Sequence, residues 1–91
     1  MYIMYNYLAE FFGTALLVYV ILASGQPLFI GLCYAVLILL TSSISGGHIN
    51  PAVSIVMASI NQLPMSDLIP YILSQVFGGF AAVEVYKRYK L

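Results

Sequence analysis

The chain alternates long apolar stretches with short polar or helix-breaking interruptions, and the length of each stretch limits what it can be. Residues 7–24 form a mostly apolar run, and a helix that crosses a bilayer needs about 20 such residues, with a range of roughly 17 to 25. Gly25-Gln26-Pro27 interrupts it with turn chemistry. A second apolar run covers 28–44, at the short end of that range. Ser45-Gly46-Gly47-His48-Ile49 cannot readily continue a helix, and Asn50-Pro51 reads as the start of the next one. Asn is a preferred N-cap and Pro is favoured at the first helical position. The apolar segment that follows, 51–60, covers about 15 Å at about 1.5 Å per residue, half of a hydrocarbon core of about 30 Å. It is too short to span and too apolar for a solvent loop, which predicts a re-entrant half-helix. The other reading, a short buried core helix, lacks a soluble core to hold it. Asn61-Gln62-Leu63-Pro64 breaks the chain again. Ser66-Asp67 can cap a third spanning helix over 66–86, with Pro70 tolerated near its first turn.

The pattern therefore predicts an all-α membrane protein, three transmembrane helices plus one re-entrant half-helix, in a single domain over 1–91. An odd number of spans places the two termini on opposite sides. Composition sharpens this. The chain is 63% hydrophobic and 7% charged, where a soluble domain carries about a quarter charged residues. Mean hydropathy is +1.01. The charges are Glu10, Asp67, Glu84, Lys87, Arg88 and Lys90, and none falls between Phe11 and Ser66. A soluble fold would have too little polar surface, so the lipid bilayer is the expected solvent. Net charge is zero, which argues against a nucleic-acid partner. Cys33 has no second cysteine to pair with and reads as a small apolar residue. The first run lacks a basic leader and carries Glu10 where a signal peptide's apolar region would begin. Met1 and the polar tail 86–91 suggest a complete chain rather than a fragment.

Tyrosines cluster at the ends of the predicted spans, with Tyr2, Tyr5 and Tyr7 at one end and Tyr86 and Tyr89 at the other, as in interfacial aromatic belts. Small residues recur four apart at Gly31 and Ala35, Ser74 and Gly78, and Gly78 and Ala82, which permits close helix approach.

The candidate chemistry lies at the break before the half-helix. Irregular backbone at membrane depth persists only where protein buries it or a wet cavity solvates it. The carbonyls of 45–50 are therefore candidates to face a polar pathway. The half-helix N-terminus adds free N–H groups and the positive end of a dipole, which repels cations and protons. Asn50 adds an amide donor. Glu10 and Gln75 are the polar residues well inside the first and third spans. An intramembrane carboxylate is costly and is paired or functional. Glu10 reads as an acceptor for loop N–H groups, the alternative being a proton relay. His48 can line a pore or hold the loop by a hydrogen bond. Ser24, Thr41, Ser42, Ser43, Ser45 and Ser54 read as small packing or helix-bonding residues. No metal-ligand cluster, nucleophile–base set or phosphate loop is visible, so neither a cofactor nor enzymatic activity is expected.

The stretch Ser45-Gly46-Gly47-His48-Ile49-Asn50-Pro51-Ala52-Val53-Ser54 resembles the first Asn-Pro-Ala loop of the aquaporin and glycerol-channel family. Ala9-Glu10-Phe11-Phe12-Gly13-Thr14 resembles that family's first-helix signature, and 71–79 its third-helix signature. The resemblance covers about 7–86 and implies roles. Asn50 would contact the permeant at mid-membrane, and Pro51 and Ala52 would shape the half-helix start. Glu10 and Gln75 would brace the loops. Carbonyls near Gly46, Gly47 and His48 would form the acceptor ladder. The selectivity filter would fall near Ile30, Ile38, Gly47 and Val53, with Val53 at the place of the filter arginine. An apolar mouth of this kind excludes ions and discriminates poorly between water and small neutral solutes such as glycerol.

Family members carry two such halves of opposite orientation, and this chain carries one. Inverted-repeat logic supplies the other half from an antiparallel second copy, and four such pores would make an octamer. The basic cluster Lys87, Arg88 and Lys90 would place the C-terminus in the cytoplasm, whereas the family's first half places that end outside. Dual topology would reconcile the two. The competing readings are a non-transporting membrane interaction subunit, a fragment of a full-length channel, and a small dual-topology transporter driven by Glu10.

Overall fold

A computed structural model describes residues 2–89, with side chains from Tyr5 onward. The side chain of Tyr2 and the whole of Lys90, assigned above to an aromatic belt and a basic cluster, lie outside the described residues. The regular structure is entirely helical: α1 (Tyr2–Ser24), α2 (Pro27–Ser45), α3 (Pro51–Ser59) and α4 (Met65–Arg88). Three segments, Tyr5–Ser24, Pro27–Ser45 and Met65–Arg88, are long and apolar enough to cross a membrane.

The helix boundaries differ from the reading from the sequence in several places. The first helix begins at Tyr2, not near residue 7, because nothing in Tyr-Ile-Met-Tyr-Asn breaks a helix; the end of an apolar run is not the end of a helix. Ser66 and Asp67 do not cap α4. Pro64 takes the N-cap position with no side-chain cap, and the backbone N–H of Asp67 closes the first turn on the Pro64 carbonyl at 2.9 Å. Asp67 lies in that turn, where its charge suits the helix dipole, and its Oδ1 accepts the Tyr7 hydroxyl at 2.8 Å. Pro70 sits inside the helix. α2 is one residue longer at each end than 28–44. Pro27 opens it, and Gly46 at φ 90° closes it with its N–H on the Ser42 carbonyl.

α1 and α4 run parallel. Tyr7 of α1 meets Tyr71 edge to face at 6.0 Å near one end. Near the other, Tyr19 meets Tyr86 at 6.2 Å and donates to the Tyr89 carbonyl at 2.7 Å. α1 packs between α4 and α2, α3 packs on α4, and α2 and α3 do not pack on one another. The longest dimension is 39 Å, against about 40–45 Å for a bilayer with its interfaces. Glu84 pairs with Lys87 and Arg88 at the exposed end of α4.

The burial pattern is that of a lipid-solvated chain. Leu28, Leu39, Phe12 and Phe80 are exposed, while Glu10, Ser54 and Gln75 are almost wholly enclosed. Two small apolar clusters frame the polar ones. Leu17, Leu37 and Ile49 form the first, with Ile30, Cys33 and Tyr34 against it. Ala58, Leu63 and Tyr71 form the second, with Tyr7, Met57 and Leu68 against it.

Gly78 sets the spacing of α1 and α4. A Cβ there would collide with the Phe11 carbonyl oxygen and crowd the Ala15 nitrogen. Backbone cannot swing aside as a side chain can. Gly78→Ala is therefore expected to destabilise the fold by about 1–3 kcal/mol, read as an earlier unfolding midpoint in mixed-micelle denaturation.

Candidate functional site

The site is assembled from one carboxylate outward. Glu10 on α1 has no solvent exposure. Its Oε2 accepts the Ser45 hydroxyl at 2.6 Å and the His48 N–H at 3.1 Å. Its Oε1 accepts the Ile49 N–H at 2.8 Å and Gln75 Nε2 at 2.8 Å. Both oxygens are thus doubly occupied, by the end of α2, by two consecutive loop amides and by α4. Hydrogen bonds to a charged group contribute about 1.5–3 kcal/mol each, and a buried group that loses its partner is penalised comparably.

A second layer extends from Gln75. Its Nε2 also donates to Ser54 Oγ at 2.9 Å, and Ser54 Oγ lies 2.7 Å from His48 Nδ1. The Ser54 hydroxyl can accept from Gln75 and still donate to, or accept from, Nδ1. Two tyrosines tie the loop backbone from outside. Tyr71 donates to the Ser45 carbonyl at 2.8 Å and Tyr34 to the His48 carbonyl at 3.0 Å.

These bonds hold an unusual backbone. Gly46 and Gly47 have φ of 90° and 67°, and Ile49 has φ of 56°. Positive φ is easy for glycine but strained for a β-branched residue. Such strain persists only where the surroundings over-determine it. Here the Ile49 N–H is on Glu10 and its side chain is 97% buried against Gly13, where an added Cβ would lie 2.6 Å from Ile49 Cδ1.

The next residue starts α3. Asn50 is extended, and its Oδ1 accepts the Ala52 N–H at 2.7 Å. Pro51 opens the helix. Pro51 shares a groove with Thr14 and Val18, which lie at the middle of the Tyr5–Ser24 span. α3 then returns toward the end of the bundle where Leu63 packs with Tyr71.

The remaining positions singled out in the sequence fall as follows. Among the described residues the carbonyls of Gly46 and Gly47 accept no hydrogen bond, whereas that of His48 takes Tyr34. The His48 side chain is buried in the network. Ile38 packs on Gly47, with its carbonyl 3.3 Å from where a Cβ would stand. Ile30 joins the cluster of Leu17, Leu37 and Ile49. Val53 lines a shallow apolar depression with Ala52, Val56 and Met57. The fold brings Ile38 and Gly47 together, and α2, which carries Ile30 and Ile38, stands apart from α3, which carries Val53. Ser45 and Ser54, read from the sequence as packing or helix-bonding residues, do more than that, though Ser45 Oγ also bonds the Thr41 carbonyl of its own helix at 3.4 Å. They are buried members of the network. Ser54, one turn after Asn50, and Ser45, at the end of α2, offered that position as their only signal. Thr41 bonds to its own helix.

With this geometry in view, the comparisons with known proteins place the chain. It matches the family model for the major intrinsic protein over residues 2–90. The chain belongs to the major intrinsic protein family and is an integral membrane protein. It is 38% identical to glycerol uptake facilitator protein-like 6 of Lactiplantibacillus plantarum, over 94% of this chain and 44% of that one. It is 40% identical to aquaporin Z of Brucella melitensis, over 85% of this chain and 40% of that one. To a probable glycerol uptake facilitator protein of Thermotoga maritima it is 37% identical, over 91% and 43% respectively. The chain thus spans less than half the length of these relatives. No solved structure matches it.

Glu10→Gln brings two amide protons to a point where four donors already converge. It is expected to cost about 1.5–3 kcal/mol in mixed-micelle unfolding. Ser45→Ala, which removes one donor and leaves Oε2 with the His48 amide, is expected to cost less, about 1 kcal/mol.

Proposed function

We propose that the chain is half of a passive channel for water and small neutral solutes, and that an antiparallel second copy completes the pore. The observation that carries this reading is the position of α3. The helix starts beside Thr14 and Val18 at mid-height of α1 and returns to the end it came from. Its nine residues rise about 14 Å. In a bilayer that is a re-entrant half-helix with its positive end near the midplane, within the single half-channel domain 1–91.

The rest follows from chemistry. The cap commits Asn50 Oδ1 to Ala52, so the two Nδ2 protons are those available to a water or alcohol oxygen. The carbonyls of Gly46 and Gly47 supply acceptors along the same path. In the two-copy pore, Ile30, Ile38, Gly47 and Val53 would line an apolar mouth. Such a mouth cannot replace the hydration shell of an ion, and the half-helix dipole adds a barrier to cations. Glu10 and Gln75 brace the loop and do not relay protons, because both Glu10 oxygens are occupied by structural donors. The names of the relatives, glycerol uptake facilitators and an aquaporin, agree with this permeant class. One copy would leave half of the pore wall open to lipid, which is why two copies, and four such pores in an octamer, form the proposed assembly. No cofactor, catalytic step or nucleic-acid partner enters it.

Vesicles containing only this chain are expected to pass both water and glycerol well above empty vesicles in stopped-flow light scattering. Asn50→Asp places a carboxylate at the half-helix start and is expected to change both fluxes and admit cations. Strong water flux without glycerol flux would contradict the apolar mouth. Flux equal to empty vesicles from folded protein would contradict the self-completed pore.

A further inference from the structure

The stripe of α2 that carries two of the proposed mouth residues holds a side chain of different chemistry between them. Ile30, Tyr34 and Ile38 stand four residues apart on α2, so they follow one another along one face of the helix. Their contacts agree. Ile30 and Tyr34 pack on the cluster of Leu17, Leu37 and Ile49, and Ile38 packs on Gly47. Ile30 and Ile38 offer only hydrocarbon. Tyr34 offers a phenol, and it is half-buried rather than enclosed.

The phenolic hydroxyl is held in place. It donates to the His48 carbonyl at 3.0 Å, reaching from the body of α2 to the residue two before Asn50. A tyrosine hydroxyl has one proton. With that proton committed, its oxygen can only accept from anything else, and among the described residues no donor reaches it. The same bond takes one of the two lone pairs of the His48 carbonyl. The carbonyls of Gly46 and Gly47 carry no such bond among the described residues. The loop therefore keeps two free carbonyls before Asn50, and α2 brings a further acceptor at the level of the third.

We propose that Tyr34 is a specificity-determining residue of the channel, its phenolic oxygen giving water an acceptor on the α2 wall between Ile30 and Ile38. The proposal rests on the pore reading above and deepens it. Water in a narrow apolar passage gives up hydrogen bonds that it keeps in bulk, so an acceptor on the wall lowers its barrier. Glycerol has a hydrocarbon side that rests against an apolar wall without that loss. Tyr34 thus favours water over glycerol and offsets the isoleucines on either side of it.

The test is the ratio of glycerol to water permeability, read by stopped-flow light scattering on vesicles of wild type, Tyr34→Phe, Tyr34→Leu and Tyr19→Phe. A ratio taken on one preparation does not depend on how much folded protein it holds, so lost stability alone leaves it in place. Tyr34→Phe keeps the ring and removes the oxygen. The His48 carbonyl that it releases belongs to the loop, which already supplies acceptors. The ratio is expected to rise about threefold through slower water. Tyr34→Leu, which also removes the ring, is expected to raise it at least as far. Tyr19→Phe removes another tyrosine-to-backbone hydrogen bond, to the Tyr89 carbonyl at the end of the bundle, and is expected to keep the wild-type ratio. An unchanged ratio in a folded Tyr34→Phe or Tyr34→Leu overturns the proposal, as does an equal rise in Tyr19→Phe. Loss of helicity in both Tyr34 variants overturns it too, by making Tyr34 a structural residue alone. Folded wild type without flux above empty vesicles overturns the pore reading itself.

Discussion

A carboxylate enclosed in a membrane helix must be surrounded by donors, and that requirement organises this chain. Glu10 gathers its four hydrogen bonds from the end of α2, the following loop and α4. Among the described residues no other joins so many elements. The bonds from His48 and Ile49 draw two consecutive amides to one side, which Gly46 and Gly47 permit and Ile49 endures at positive φ. The chain consequently reaches Asn50 aimed back along the bundle, and Pro51 starts a short helix instead of continuing outward. The polar interior and the apolar exterior have the same cause. In lipid the polar groups are the ones that need protein around them.

Packing serves that arrangement. Gly78 lets α1 and α4 approach closely enough for Gln75 to reach Glu10 across the interface. Gly13 leaves room for Ile49. Tyr34 and Tyr71 close the loop from α2 and α4. α2 and α3 make no contact with one another.

Much of the fold was legible because length is decisive in a membrane. Three apolar runs of spanning length and one short run, separated by Gly, Pro and Asn, allow few other arrangements. Helix ends were less legible. Tyr2 to Asn6 extend α1 past the apolar run, and Pro64, not Ser66, precedes α4, since hydropathy reports the solvent and not the backbone. Within the site, Glu10 stood out as a charge in a charge-free stretch. The serines did not. Ser45 and Ser54 look like Ser42 or Ser59 in sequence, and only the three-dimensional approach of Glu10, Gln75 and His48 distinguishes them. The same holds for Gly78 and Gly79, adjacent and alike in sequence yet turned toward different neighbours.

The central claim is that Glu10 holds the loop, and the most direct measurement is amide hydrogen exchange at His48 and Ile49 in nanodiscs. Both amides are expected to exchange as slowly as the buried stretches of α1 and α4 despite lying outside any helix. Exchange as fast as that of Gly25 and Gln26 in the α1–α2 turn would contradict the account.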